Sequence, residues 1–382
     1  MEYRLLGSLV KRKIGYGIVQ PGQSTGDGVP IIKVNNIISG LESINDLDTT
    51  SREISEKYSR TILRGGELIV SVVGTIGKTA IVPENFAGCN LVRAVALLDI
   101  EDKIISKWVK YYLDSPYGKD YISQNLNTTV QPTLNIKSLT NMPIPFYDTE
   151  YMEKTIDLLS EIDDKITLNN KINENLEQQA QALYREMFLE NQNITTVTKT
   201  LNSIAVITMG QSPSGKSYNE DGIGEVFYQG RAEFGTRFPT RRLFTTEPKR
   251  MAEAGDVLLS VRAPVGDLNV AYEKCCIGRG LAAVHSKIGN NSFILYTMMA
   301  SKPRFDVFNG EGTVFGSINR ESLNTMPIKV PSMEMIVEFE NMAHPIDEMI
   351  RIRYEENCRL EILKNTLLPK LMNGEIDIED VI

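Results

Sequence analysis

The chain states its design twice. Landmarks between Leu6 and about Phe188 return in the same order between Leu201 and about Met372. Gly66-Glu67-Leu68-Ile69-Val70-Ser71-Val72 reappears 189 positions later as Gly255-Asp256-Val257-Leu258-Leu259-Ser260-Val261, and Gly77 matches Gly266 at the same offset. Further on the offset falls to 184, where Thr129-Val130 answers to Thr313-Val314, Ser138-Leu139 to Ser322-Leu323, Met142-Pro143-Ile144 to Met326-Pro327-Ile328, and Ile162-Asp163 to Ile346-Asp347. Solenoids and propellers repeat every 20 to 50 residues or so; a period of about 190 makes each copy a domain with its own core. A chain of 382 residues is long enough for two such cores.

Each copy ends in a long helix. Leu159, Ile162, Ile166, Asn169, Asn173, Leu176, Ala180, Leu183 and Met187 step by three and four, the seam of a coiled coil. Ile346, Ile350, Arg353, Asn357, Leu360, Lys364, Leu367 and Leu371 hold the equivalent places in the second copy, with Asn357 the counterpart of Asn173. Buried asparagines cost stability but fix register, so the segments 150–190 and 333–382 are expected to pair with each other. Pro345 and Pro369 are expected to break or shorten the second helix, since proline lacks the amide proton and clashes with the preceding turn. Asn373-Gly374 then gives a natural stop. The segments 1–149 and 191–332 mix short apolar runs with turn residues, an α+β texture. Strands are expected at 29–34, 67–73, 92–98, 257–261 and 281–285, and short helices at 106–113 and 293–299.

The net charge of -8 hides a partition. Residues 150–190 carry 10 acidic and 4 basic side chains and residues 334–380 carry 12 and 5, which leaves the rest of the chain about +5. In the second globular segment Arg231, Arg237, Arg241, Arg242, Lys249 and Arg250 fall close together beside Tyr228, Phe234, Phe238 and Phe244, a grouping suited to phosphate neutralisation with arginine forks left for guanine edges. The first has Lys11-Arg12-Lys13 and scattered Arg52, Arg60, Arg64, Lys78 and Arg93. Cys89, Cys275, Cys276 and Cys358 have no metal-ligand spacing and the chain has only two histidines, so the thiols are expected to be buried and neither a zinc site nor a disulfide framework is expected. No apolar run is long enough to span a bilayer and the first residues lack the apolar core of a secretory signal, so a cytoplasmic address is expected and no membrane partner.

Gly210-Gln211-Ser212-Pro213-Ser214-Gly215-Lys216-Ser217 matches the P-loop pattern literally. A P-loop must open a helix whose N-terminus holds the phosphate, but Ser217 runs into Tyr218-Asn219-Glu220-Asp221-Gly222, a turn sequence. Nucleotide binding is therefore not expected. The stretch instead resembles the opening of a target-recognition domain in the specificity subunits of type I restriction-modification enzymes. The resemblance continues through Phe227-Tyr228-Gln229-Gly230, through the run from Gly255 to Gly266, and through Leu168-Asn169-Asn170-Lys171-Ile172-Asn173-Glu174-Asn175-Leu176 and Asn373-Gly374-Glu375-Ile376. It covers nearly the whole chain.

The resemblance implies two similar target-recognition domains, 1–149 and 191–332, separated by a long antiparallel two-helix coiled coil in a pseudo-two-fold arrangement. It implies a chain that catalyses nothing. Each domain would read one half of a split double-stranded DNA target, and the helices would set the unread gap and dock two methyltransferase subunits, which restriction subunits join. S-adenosylmethionine, ATP and magnesium would belong to those partners, with no cofactor in this chain. The DNA-binding candidates are Lys11, Arg12, Lys13, Lys33, Asn35, Lys78, Arg93, Ser212, Lys216, Tyr218, Gln229, Arg231, Arg237, Arg241, Arg242, Arg262 and Arg279. The helix-pairing candidates are Ile162, Ile166, Asn173, Leu176, Leu183, Ile346, Ile350, Asn357, Leu360 and Leu367. In the first copy Val72-Val73-Gly74-Thr75-Ile76-Gly77 replaces the arginine-bearing loop of the second, a departure that weakens residue-by-residue transfer between the halves.

Overall fold

Leu68–Ser71, from the most strongly repeated string, is the middle strand of a three-stranded antiparallel sheet with Thr79–Ile81 on one side and Val95–Leu98 on the other. All four of its residues are buried, as expected of a continuous apolar run covered on both faces. Leu68 and Val70 face a core built with Trp108, Val109 and Leu113, whereas Ile69 packs with Ile32, Phe86 and Leu91. The helix Lys103–Asp114 supplies the first of these layers. Asp102 caps it by accepting from the amides of Ile104 and Ile105, and Trp108 Nε1 donates to the Pro145 carbonyl at 2.7 Å, so the one buried indole polar group is satisfied.

The computed structural model describes residues 1–24, 26–127, 132–309 and 316–381; Thr129-Val130 and Thr313-Val314 of the repeat lie outside the described residues. The chain divides into two units, Met1–Thr167 with Asn357–Ile382, and Leu168–Glu356, so that the boundary falls inside both long helices. The second unit rebuilds the plan of the first. Val257–Ser260 lies between Leu268–Val270 and Leu281–Ser286, with Ala205–Met209 added beyond the latter. Its helix Asn291–Ala300 takes the place of Lys103–Asp114. Val29–Ile32 runs parallel to Asn90–Leu91 in the first unit, and Glu225–Tyr228 runs parallel to Cys275–Ile277 in the second. Even the terminal ribbons agree in register, Glu2 opposite Phe146 and Leu5 opposite Pro143, then Val197 opposite Val330 and Thr200 opposite Pro327.

The first long helix spans Thr149–Tyr184 and passes into a π-helical turn, Arg185–Glu190. The second spans Met333–Met372, 40 residues without interruption. The expected break at Pro345 and shortening at Pro369 do not occur. Pro345 and Asn341, whose carbonyl loses its partner, are both exposed, so water can hydrate the freed oxygen while the buried face keeps its packing. Within each unit the helices run antiparallel. In the first, Tyr151 donates to the Leu371 carbonyl at 2.9 Å and Asp163 meets Lys364; in the second, Asn169 Nδ2 donates to Glu356 at 2.8 Å and Asn173 Nδ2 to the Ile350 carbonyl at 3.3 Å. Ile162, Leu176, Ile350 and Asn357 are buried, and Ile166, Asn173, Leu183, Ile346, Leu360 and Leu367 half-buried. Among the described residues no helix is long and apolar enough to cross a membrane.

Candidate nucleic-acid interface

One backbone corner occurs in both units. In the first, the Ile18 amide donates to the Leu91 carbonyl at 2.7 Å, Val92 to Ile32 at 3.2 Å, Val95 to Val92 at 2.9 Å, Val72 to Ala94 at 2.8 Å and Leu134 to Val72 at 2.9 Å. In the second, Gln211 donates to Ile277 at 2.9 Å, Gly278 to Tyr228 at 2.8 Å, Leu281 to Gly278 at 2.9 Å, Val261 to Gly280 at 2.9 Å and Ile318 to Val261 at 3.0 Å. The five bonds match one for one. Glycine makes the corner possible: a Cβ on Gly17 would lie 2.1 Å from the Leu91 carbonyl oxygen, and one on Gly210 would lie 2.1 Å from that of Gly278. The adjoining loops agree too. Ser71 Oγ donates to the Thr75 carbonyl at 2.6 Å and accepts from the Lys78 amide at 2.8 Å, as Ser260 Oγ does with Pro264 at 2.8 Å and Asp267 at 3.0 Å. Residues 72–77 and 261–266 are therefore closed by the same pair of serine hydrogen bonds, although only the second loop carries an arginine.

This matching places the candidate side chains. Lys33 and Gln229 follow the equivalent strands, Arg93 and Arg279 follow the parallel partner strands, and Arg262 in its bridge with Ser317 takes the place of Val73 in its bridge with Thr133. Ser212 belongs to the same corner, because its Oγ accepts from the Arg279 amide at 3.2 Å. Sequence reasoning named these residues singly but missed that they are equivalent. Tyr218 stacks on Phe227 with ring centroids 4.9 Å apart, and its hydroxyl donates to the Pro213 carbonyl at 3.1 Å.

The cations fall into two classes. Lys11 pairs with Glu101, Lys33 with Asp48, Arg231 with Asp267, Arg241 with Glu273 and Arg242 with Glu233. Burial works against ionisation of Asp267, but Lys302 and Arg231 outweigh it and hold its pKa below the usual carboxylate range. Lys13, Lys78, Arg93, Lys216, Arg262 and Arg279 are exposed, and among the described residues no carboxylate pairs with them. Asn35 is exposed and has a partner.

Two candidates need correction. Arg12 points inward, with Nη2 donating to Glu67 at 2.7 Å, Nη1 to the Ile62 carbonyl at 2.9 Å, and Nε to Asp99. Arg237 is buried against the long helices of the second unit, where it binds Asp347 and reaches Glu177 at 3.5 Å. Burial pushes the Arg237 pKa down, yet Asp347, Tyr296 and Glu177 outweigh it and hold it up. Arg12 is committed to two buried carboxylates and the buried Arg237 to two half-buried ones, and releasing either to DNA would strand charge away from water. The neighbouring aromatics are core as well: Phe238 packs with Leu176 and Ile350, and Tyr228 with Phe234, Phe244 and Leu258.

The P-loop-like segment passes from a 3-10 turn, Gly215–Ser217, into the strand Tyr218–Asn219, with no helix whose N-terminus could receive a phosphate. Cys89, Cys275 and Cys276 are buried and Cys358 half-buried, and none of the four is in a disulfide. Burial pushes the Cys89 thiol up to about 11, away from reactivity.

Residues 6–178 match the family model described as the type I restriction modification DNA specificity domain. A putative type I restriction enzyme MjaX specificity subunit from Methanocaldococcus jannaschii is 29% identical over 379 residues, covering 92% of this chain and 88% of that protein. The type I restriction enzyme EcoBI specificity subunit from Escherichia coli is 34% identical over 147 residues, 38% of this chain and 31% of that protein. Among solved structures, the type I restriction-modification system S subunit from M. genitalium shares the fold, with a TM-score of 0.55 and 16% identity over 97% of this chain and 95% of that one.

Proposed function

We propose that the chain is a specificity subunit of the type I restriction-modification family, and that within such a complex each of its units reads one half of a split duplex DNA sequence. It is a DNA sequence-specificity subunit. One observation carries the division of labour: the same backbone corner occurs in each unit, and exposed cations without carboxylate partners among the described residues, Arg93 in one and Arg262 and Arg279 in the other, stand on it. Such groups are available to phosphates and base edges at no cost in broken ion pairs. The chain itself catalyses nothing on this reading. Two methyltransferase subunits and the restriction subunits that join them supply catalysis and bind S-adenosylmethionine, ATP and magnesium.

The long helices set the gap between the half-sites. Inserting four residues between Thr167 and Leu168, and four more between Glu356 and Asn357, extends both helices where they pass from one unit to the other. Four residues add about 6 Å and roughly 40° of rotation. At about 3.4 Å per base step, the methylated sequence should keep both halves and gain one or two unread base pairs between them. Sequencing the methylated sites of cells carrying the insertion tests this; altered half-sites, or an unchanged gap at full activity, would refute it.

A further inference from the structure

We propose that Arg93 and Arg279 are one phosphate contact made twice, once per unit, and that the bases are read from the positions around them: Val19, Lys33 and Val73 in the first unit, Ser212, Gln229 and Arg262 in the second. This rests on the reading of the chain as a DNA specificity subunit and assigns roles within it.

The two arginines occupy the same place in the backbone. Each is the second residue beyond the strand that runs parallel to its neighbour, flanked by residues whose hydrogen bonds match between the units: Val92 and Ala94 around Arg93, Gly278 and Gly280 around Arg279. Each donates its own amide to the segment after the close-approach glycine, Arg93 to the Ile18 carbonyl at 2.7 Å and Arg279 to Ser212 Oγ at 3.2 Å. Both side chains are exposed, and among the described residues neither meets a carboxylate.

A contact repeated with the same side chain on the same framework must be made to something both half-sites possess. The sugar-phosphate backbone is common to every sequence, and the guanidinium fork suits it. The surrounding positions do the opposite. Lysine stands where the other unit has glutamine, valine where it has arginine, and valine where it has serine. Glutamine suits adenine, arginine suits guanine, and an apolar side chain suits the thymine methyl, so this changing set carries sequence information that the constant arginine does not. Lys33 is already turned to Asp48, whereas Val19 is 49% exposed and unengaged by polar partners of its own.

The test uses the full chain assembled with its methyltransferase subunits, a duplex selected by that assembly from a random-sequence pool, and the unselected pool. Arg93→Ala and Arg279→Ala should each weaken binding to both DNAs by a similar factor and each reduce the slope of log affinity against log salt by about 0.9, one phosphate each. Arg93→Lys and Arg279→Lys should restore the slope, which a merely unfolded variant would not do. Gln229→Ala should leave the slope unchanged and relax the selected sequence in one half only. A changed selected sequence with either arginine variant, or an unchanged slope, overturns the assignment while leaving the DNA reading intact. A wild-type assembly that selects no sequence from the pool overturns the DNA reading, and this proposal with it.

Discussion

In the first unit a single arginine lies between two buried carboxylates, Glu67 and Asp99; in the second, the equivalent of Glu67 is Asp256, and it meets the half-exposed ring of His285 instead. The turns these acids close are alike. Glu67 accepts from the amides of Arg64 and Gly65 at 2.8 and 2.9 Å, and Asp256 accepts from that of Glu253 at 2.9 Å. The second unit has a buried arginine as well, but it is Arg237, placed against the long helices beside Asp347 and Glu177. What the units share is backbone geometry and the carboxylate that satisfies it. The cation that answers the carboxylate is free to come from anywhere, which is why a basic residue in this sequence says little about whether it faces solvent, core or DNA.

The largest expected effect follows from the buried pairs. Arg12→Ala and Arg237→Ala should each lower unfolding free energy by about 3–5 kcal/mol, because each strands charge in the interior. His285→Ala should cost no more than about 1 kcal/mol, its ring being 46% exposed. Urea titrations of the three variants measure this, and a His285→Ala loss as large as that of Arg12→Ala would erase the contrast between the units.

A smaller effect concerns pH. Burial raises the Asp256 pKa above its ordinary value, against the lowering pull of the Glu253 amide and His285. The native state therefore holds this proton more tightly than the unfolded chain. Its contribution to stability is present below the ordinary aspartate pKa and is lost as pH rises through the raised one. Asp256→Asn keeps an acceptor for the Glu253 amide and should flatten this part of the profile. Unfolding measured at intervals from about pH 4 upward checks it; a variant whose profile keeps the wild-type slope would show that His285 has compensated the burial.

The smallest effect is expected at Lys216. Lys216→Ala should change no nucleotide-dependent property, since the turn and strand around it offer no helix N-terminus to a phosphate. Saturable ATP binding by the full chain, abolished in the variant, would reverse this.

Much of the fold was legible because the most strongly patterned strands keep their lengths between the units. The offset of 189 joins the strands Leu68–Ser71 and Val257–Ser260, and that of 184 joins the strands Pro143–Phe146 and Pro327–Val330. The offset is not constant along the chain: it starts at 196 for Ile32 and Tyr228, ahead of both strand pairs, and has fallen to 186 at Leu91 and Ile277, because the segment from Ile32 to Leu91 is ten residues longer than its counterpart. Arg93 and Arg279 lie just past that slippage, so their equivalence emerges only from the hydrogen bonds. Arg12 was misjudged for a different reason: between Lys11 and Lys13 it reads as one of three surface charges, and only its acids, 55 and 87 positions away, turn it inward. Pro345 was misjudged because the local cost of proline is visible in sequence, whereas the exposure of the orphaned carbonyl is not.

Gly17 and Gly210 carry a consequence for how such a chain can vary. Each sits against a carbonyl oxygen where any side chain would collide, yet the positions that follow, Val19 and Ser212, are at least partly open to solvent. Substitution is thus all but forbidden at one point, whereas two residues later it meets no backbone collision and costs at most the exposed hydrogen bond that Ser212 accepts from the Arg279 amide. A saturation library over residues 17–20 or 210–213 should divide sharply, with the glycine intolerant and its near neighbour permissive. A new binding preference could then be acquired by stepping through folded intermediates, with no passage through a broken scaffold.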